Sequence, residues 1–186
     1  MEIRPLTPAD LRFLAEIDAT IESTQYLHLD KSGEGMTFGL RIEPRPLREK
    51  QIIPNPLSDE LALMYRQIAT GGDDGIALTA EHDGQIVAAA LAQDSVAHAT
   101  MSLLDVRVDY DFRRQGVATA MVYQIIAAAR ESDARAVSAE TRSNNFPANQ
   151  LMLKSGFDLS GADIRRYSNH DMVKETATLF WYAQLD

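Results

Sequence analysis

No cysteine occurs in the 186-residue chain. That removes a thiol nucleophile, a thiolate zinc site, an iron–sulfur cluster and a structural disulfide. Positive charge is also scarce: 18 Lys and Arg stand against 27 Asp and Glu, for a net charge of −9 and a pI of about 4.9. A protein that grips nucleic-acid phosphates presents a basic surface, so no nucleic-acid partner is expected. An acidic field attracts cations and repels polyanions; any anionic ligand must therefore be held by a local site that overrides the field. No apolar run approaches the length that spans a membrane. Residues 1–14 carry charges throughout and lack the apolar centre of a secretory signal. No membrane partner is expected, and the expected location is the cytoplasm.

What is present is an ordinary globular composition, 45% hydrophobic and 24% charged. The length suits one domain over residues 1–186 with a sizeable core. Residues 2–6 read as a strand. Thr7 or Asp10 is placed to cap a helix bearing Leu11, Leu14, Ile17 and Ile21 at helical spacing. Residues 26–57 are less regular: Phe38, Leu40 and Ile42 alternate as in a strand, and Pro44, Pro46, Pro54 and Pro56 are expected to break anything longer. Ser58, Asp59 and Glu60 open a helix to about Ile68.

Beyond the Gly71–Gly75 loop the pattern sharpens. Residues 76–81 and 86–93 flank an Asp83-Gly84 turn and predict a hairpin. Residues 100–108 form a third strand. A helix follows with an apolar stripe of Val117, Met121, Val122, Ile125, Ile126 and Ala129. Then come a strand at 136–141, a helix at 146–155 with Pro147 in its first turn and Gly156 at its stop, and strands at 157–159 and 176–182. Hairpins followed by a strand–helix–strand crossover predict an α/β (α+β) fold with a mixed sheet, not a doubly wound parallel one.

The chemistry concentrates in residues 109–120, DYDFRRQGVATA. A strand ends near Val108 and a helix begins near Gln115. A helix start has unpaired N–H groups and a positive dipole end. Gly116 and Ala118 let a ligand approach the backbone, and Arg113 and Arg114 add charge, as a pyrophosphate cradle needs. The spacing is neither a P-loop nor a dinucleotide fingerprint. His28, His82, His98 and His170 have no metal-ligand spacing, and no metal is expected.

Arg113-x-x-Gly116-x-Ala118 resembles the [Q/R]-x-x-G-x-[G/A] signature of the GNAT acyltransferases. The stretch from Asn145 through Ala148, Leu151 and Gly156 to Phe157 is similar to that family's N-x-x-A-x-x-L-Y-x-x-x-G-F. A narrower likeness, to the streptothricin acetyltransferases, runs through residues 140–148, 154–161, 174–176 and 180–182, with a weaker stretch at 26–48.

The resemblance implies a GNAT-type, mostly antiparallel central sheet with helices on both faces, and acetyl-CoA as donor. It implies that main-chain groups of Val106 and Val108 pair with the pantetheine arm. Arg113, Arg114, Gln115, Gly116, Val117, Ala118 and Thr119 would hold the pyrophosphate, and Asn145 with Asn149 would meet the pantetheine. It further implies N-acetylation of a primary amine on a small cationic molecule, first a streptothricin-type antibiotic. A peptide amine, or a degenerate acyl-CoA-binding module, are the alternatives. Homodimers are common in such a family.

Asp105 stands where related enzymes carry an acid. It would bind the substrate ammonium or relay its proton, or instead form a strand ion pair with Arg107. Glu140 ends the next strand, facing the same cleft or making a structural bond. The motif tyrosine is replaced by Met152, which has no transferable proton. Tyr167 is then the expected acid, unless it is an ordinary loop tyrosine.

Overall fold

The computed structural model describes residues 1–185. A seven-stranded sheet has the order β1 (Glu2–Pro5), β4 (Gly75–His82), β5 (Gln85–Ser95), β6 (Thr100–Val108), β7 (Ala136–Arg142), β9 (Thr178–Gln184), β8 (Asp158–Asp163). Every neighbouring pair is antiparallel except β6 and β7. Helix α1 (Asp59–Ala69) and a 3₁₀ turn at Leu11–Glu16 cover one face, packing Leu14 and Tyr65 on Ala89 and Leu91 of β5. Helices α2 (Val117–Arg130) and α3 (Phe146–Lys154) cover the other, packing Met121, Ile125 and Met152 with Ala88, Ala90 and Trp181. The fold class expected from the sequence holds, helices on both faces included. Among the described residues no helix is long and apolar enough to cross a membrane.

Local chemistry explains most elements. Asp83 and Gly84 both have positive φ, 48° and 82°, as a two-residue hairpin turn requires between β4 and β5. Ser58 caps α1 by accepting from the Leu61 N–H, with Asp59 and Glu60 in the first turn. The run from Val87 to Ala92 is fully buried, and its alanines let both helical layers approach β5 closely.

Three expectations need correction. The helix after Pro8 is only the short 3₁₀ turn, and Ile21 lies in a strand. Residues 21–53 form a long two-stranded ribbon, β2 (Ile21–Glu34) with β3 (Thr37–Ile53), so Pro44 and Pro46 break nothing. The reason is edge geometry. Leu27 donates its N–H to Ser143 O at 2.9 Å, away from β3, so Leu27 and its partner Pro44 are not hydrogen-bonded to each other. The missing proline N–H therefore faces outward, and two residues on Pro46 does the same. The last two strands also sit later than the sequence suggests, at Asp158–Asp163 and Thr178–Gln184.

Buried Asp10 ties β1 to the 3₁₀ turn. Its carboxylate accepts from both Arg4 Nη atoms at 2.8 and 3.0 Å, and from the Thr7 N–H and hydroxyl at 2.8 and 2.7 Å. Arg4 first, then Thr7, hold this carboxyl far below the usual range against the opposing effect of burial. A depressed folded-state pKa stabilises the fold above the unfolded value near 3.9, and that stability is lost as pH falls below it. Asp10→Asn should lower stability by about 2 kcal/mol at pH 7. The gap between variant and native protein should shrink below about pH 4 in urea titrations.

Candidate active site

The parallel pair β6–β7 is joined only from Thr100 to Leu103, against Ala136 to Ala139. At that point the β5 register jumps, from Ala92 opposite Leu103 to Leu91 opposite Asp105, which makes Leu104 a bulge. A bulge bends its strand, and beyond it β6 has no strand partner on the β7 side among the described residues. The two strands part, and a cleft opens between residues 104–108 and 140–142. Asp109 donates its N–H to Val87 O at 2.8 Å, toward β5. By alternation the main-chain groups of Val108 and Val106 face the cleft. Val108 O accepts from Arg113 Nε at 3.1 Å. The N–H and C=O of Val106 and the N–H of Val108 are left as an unpaired strand edge.

The helix start adjoins that edge. The first helical bond of α2 runs from the Ala120 N–H to Gly116 O, so the N–H groups of Val117, Ala118 and Thr119 have no partner within the helix. Gly116 occupies the N-cap with φ 82° and has no side chain to cap them. A Cβ built there would meet no protein atom within 4 Å and would project into open space. Arg114, exposed, also has positive φ, 61°. Two left-handed residues before a helix turn successive N–H groups to one side, an anion-binding concavity.

Other expected ligand residues are placed differently. Arg113 is a clamp: its guanidinium donates to Val108 O, Asp18 O at 2.9 Å and Thr20 O, tying β6 to the start of β2. Three backbone carbonyls thus engage its donors, while its positive charge stays close to the start of α2. Asn149 is 1% exposed; it accepts from the Thr141 hydroxyl at 2.5 Å and donates to Arg142 O at 3.0 Å. It locks α3 to β7, with one donor and one acceptor of its amide engaged inside the protein. Asn145 caps α3, accepting from the Ala148 N–H at 3.2 Å, and keeps its amide nitrogen free. Val117 is buried, so only its N–H is available, while Gln115 is exposed. Met152 is 3% exposed in the core, so position 152 of this chain lies away from solvent.

The catalytic expectations converge on one side. Thr141 bonds to Asn149 on the α3 face, so Glu140 and Arg142 of the same strand face the α1 side. Asp105 is on that side, because its Oδ2 accepts from Tyr65 of α1 at 2.9 Å and from Arg107 Nε at 2.6 Å. Glu140 pairs with Arg166 at 2.9 Å, and Arg142 lies over the Tyr167 ring, 4.4 Å from its centre. The structure thus gives Asp105 the Arg107 ion pair and still brings Asp105, Glu140 and the Tyr167 loop to the α1 face of the cleft. Sequence reasoning misses Tyr65. Burial, then Asp105, raises its phenol well above the usual value, so it remains a donor. The one sequence signal is a hydroxyl within an apolar helical stripe.

A strand edge open beside an uncapped helix start suits a ligand that is part peptide-like and part diphosphate. The family model of the GNAT acetyltransferases matches residues 43–157. The chain belongs to the GNAT family. Within that family it is 33% identical over 78 residues to streptothricin acetyltransferase A of Bacillus subtilis, covering 42% of this chain and 44% of that protein. It is 30% identical over 81 residues to streptothricin acetyltransferase of Escherichia coli, covering 44% and 47%. Each match spans less than half of the relative. Among solved folds, nourseothricin acetyltransferase superposes with a TM-score of 0.80 at 19% identity over 100% of this chain and 98% of that one. A Bacillus anthracis protein described as a streptothricin acetyltransferase, solved with acetyl coenzyme A, does so at 0.81 and 22% identity, with the same coverage.

This GNAT chain fits acetyl-CoA on its own features: free N–H groups at the α2 start, open space over Gly116 and an unpaired edge at Val106. Among the described residues no group of three or more His, Asp or Glu is placed to hold a metal.

Proposed function

We propose that this protein moves the acetyl group of acetyl-CoA onto a primary amine of a small cationic molecule, with a streptothricin-type antibiotic as the first acceptor to test. The observation that carries this reading is the parting of β6 from β7 beside the uncapped start of α2. The acceptor identity is supported by the two partial matches to streptothricin acetyltransferases.

Bound acetyl-CoA would supply the activated thioester. The chain's own groups do the rest. Val106 and Val108 offer main-chain partners to the pantetheine amides, and the N–H groups at residues 117–119 with Arg114 hold phosphate oxygens. The Val106 N–H is the free donor available to the carbonyl oxygen as negative charge grows there. An alkyl amine with a pKa near 10.4 is free base in only about one molecule in 10³ at neutral pH. Asp105 receives its proton, directly or through water. The nitrogen then bonds to the acetyl carbon, the carbon–sulfur bond breaks, Tyr167 gives the departing sulfur its proton, and the second proton shed by the nitrogen as it becomes an amide restores the Tyr167 hydroxyl through water.

The deciding experiment is thiol release from acetyl-CoA against streptothricin, polyamines, aminoglycosides and N-terminal peptides. Release with small polycations alone supports the reading; release only with peptides or neutral amines overturns it. Tyr167→Phe keeps the ring under Arg142 and removes the hydroxyl. It should lower kcat by about 10²-fold with CoA affinity unchanged. Unchanged kcat would leave solvent as the proton source. The Michaelis constant for the amine should rise roughly two- to threefold between 10 and 150 mM salt, because screening weakens capture by Asp105, Glu140 and the acidic field. A flat response would remove electrostatic capture from the account.

A further inference from the structure

The Asp105 carboxylate is held in an unusual way. Two donors converge on one oxygen: the Tyr65 hydroxyl at 2.9 Å and Arg107 Nε at 2.6 Å both reach Oδ2. Oδ1 has no hydrogen-bond partner among the described residues. Tyr65 is 0% and Arg107 1% exposed, so both donors are fixed by packing, whereas the Asp105 side chain retains 9%. Arg107 binds this carboxylate by Nε alone, and its buried Nη2 has no partner. A buried, under-bonded guanidinium is destabilising, and an apolar pair of the same volume is often as stable or more so. Its presence beside the bulge at Leu104, one residue from the free N–H of Val106, points to a task other than stability.

We propose that Tyr65 and Arg107 are positioning residues: by both engaging Oδ2 they fix the Asp105 carboxylate in one rotamer and leave Oδ1 as the single oxygen open to the acceptor amine. This rests on the acetyl-transfer reading above. Tyr65 is the more telling of the two, because it comes from α1. Through it the helix layer on the acceptor side sets the orientation of the proton acceptor on β6. A carboxylate free to rotate would offer either oxygen and spend part of its time out of line. An in-line amine gains from fixed geometry because the ordering is done before it arrives.

Tyr65→Phe tests this with little disturbance, since it keeps the buried ring and the ion pair. The expected result is a kcat lower by about tenfold, with CoA affinity by calorimetry and Tm nearly unchanged. In an Asp105→Asn background, which itself removes most activity, the same change should cost nothing further. An unchanged kcat in Tyr65→Phe, or equal losses in both backgrounds, overturns the proposal. A readout independent of turnover is the χ1 rotamer population of Asp105, read from three-bond NMR couplings and held by Tyr65 from α1 and Arg107 from β6. Native protein should show one dominant rotamer, and loss of the Tyr65 donor should spread the population over at least two. Should no amine be acetylated, the reaction reading falls and the rotamer measurement decides the positioning alone: a spread population in Tyr65→Phe sustains it and an unchanged one overturns it.

Discussion

Gly116→Glu is expected to weaken CoA binding by about 100-fold or more in a protein that still folds. Three effects follow. An L-residue at the Gly116 φ of 82° costs about 1 kcal/mol. The new side chain grows into the open space over the helix start, where no protein atom lies within 4 Å of its Cβ. Its carboxylate would sit near a bound diphosphate, and two like charges 4 Å apart repel by about 4 kcal/mol at a surface-like dielectric, before screening by salt. About two thirds of that repulsion by itself reaches the roughly 2.7 kcal/mol that 100-fold represents, while the backbone strain, present with or without ligand, falls on stability. Calorimetry with CoA reads the loss, and far-UV circular dichroism checks the fold. Affinity within threefold of native would remove the residue 114–119 loop from the ligand site. Arg114→Ala should have a milder effect, larger for CoA than for phosphate-free pantetheine, because only CoA carries the phosphates.

Arg107→Met should produce the largest loss of stability of any single change near the cleft, about 3–5 kcal/mol. Arg107 is 1% exposed, and its removal leaves the Asp105 carboxylate enclosed with Tyr65 as its only partner. For a chain of this length that corresponds to a drop in Tm of roughly 10 °C. The double variant Asp105→Leu with Arg107→Met removes both charges together. It should return to within about 1 kcal/mol of native in urea titrations and remain inactive. Recovery of stability without activity separates the electrostatic cost of the pair from the chemical use of Asp105. A double variant as unstable as the single one would mean that packing, not the unpaired charge, sets the loss.

Much of the site is legible in the amino-acid sequence. Gly116 between a strand and an apolar-striped helix is read directly, because only glycine takes φ 82° without strain and because a helix start has free donors whatever surrounds it. The order of strands, the Asp83-Gly84 turn, the caps at Ser58 and Asn145 and the Gly116-x-Ala118 spacing are all local features. Asn149 and Met152 are legible in part: three residues apart on α3, they share a face, and a methionine on that face signals the core. Arg113 and Arg114 are not separable, since adjacent arginines look alike until the carbonyls of Asp18 and Thr20 claim one of them.

The sequence by itself determined the local conformations: where helices start, where turns reverse, and which residue must be glycine. It also carried the family, through two motifs in order. Tertiary structure alone decided what those pieces face. Pro44 and Pro46 sit within a strand because their missing N–H groups point away from β2, and the direction of a strand's donors exists only once its partner is chosen. The bulge at Leu104 opens the cleft because β5 imposes one register on β6 while β7 can follow it only as far as Leu103. Tyr65 meets Asp105 across 40 positions of chain, a contact that no local spacing encodes, because it depends on how α1 lies over the sheet.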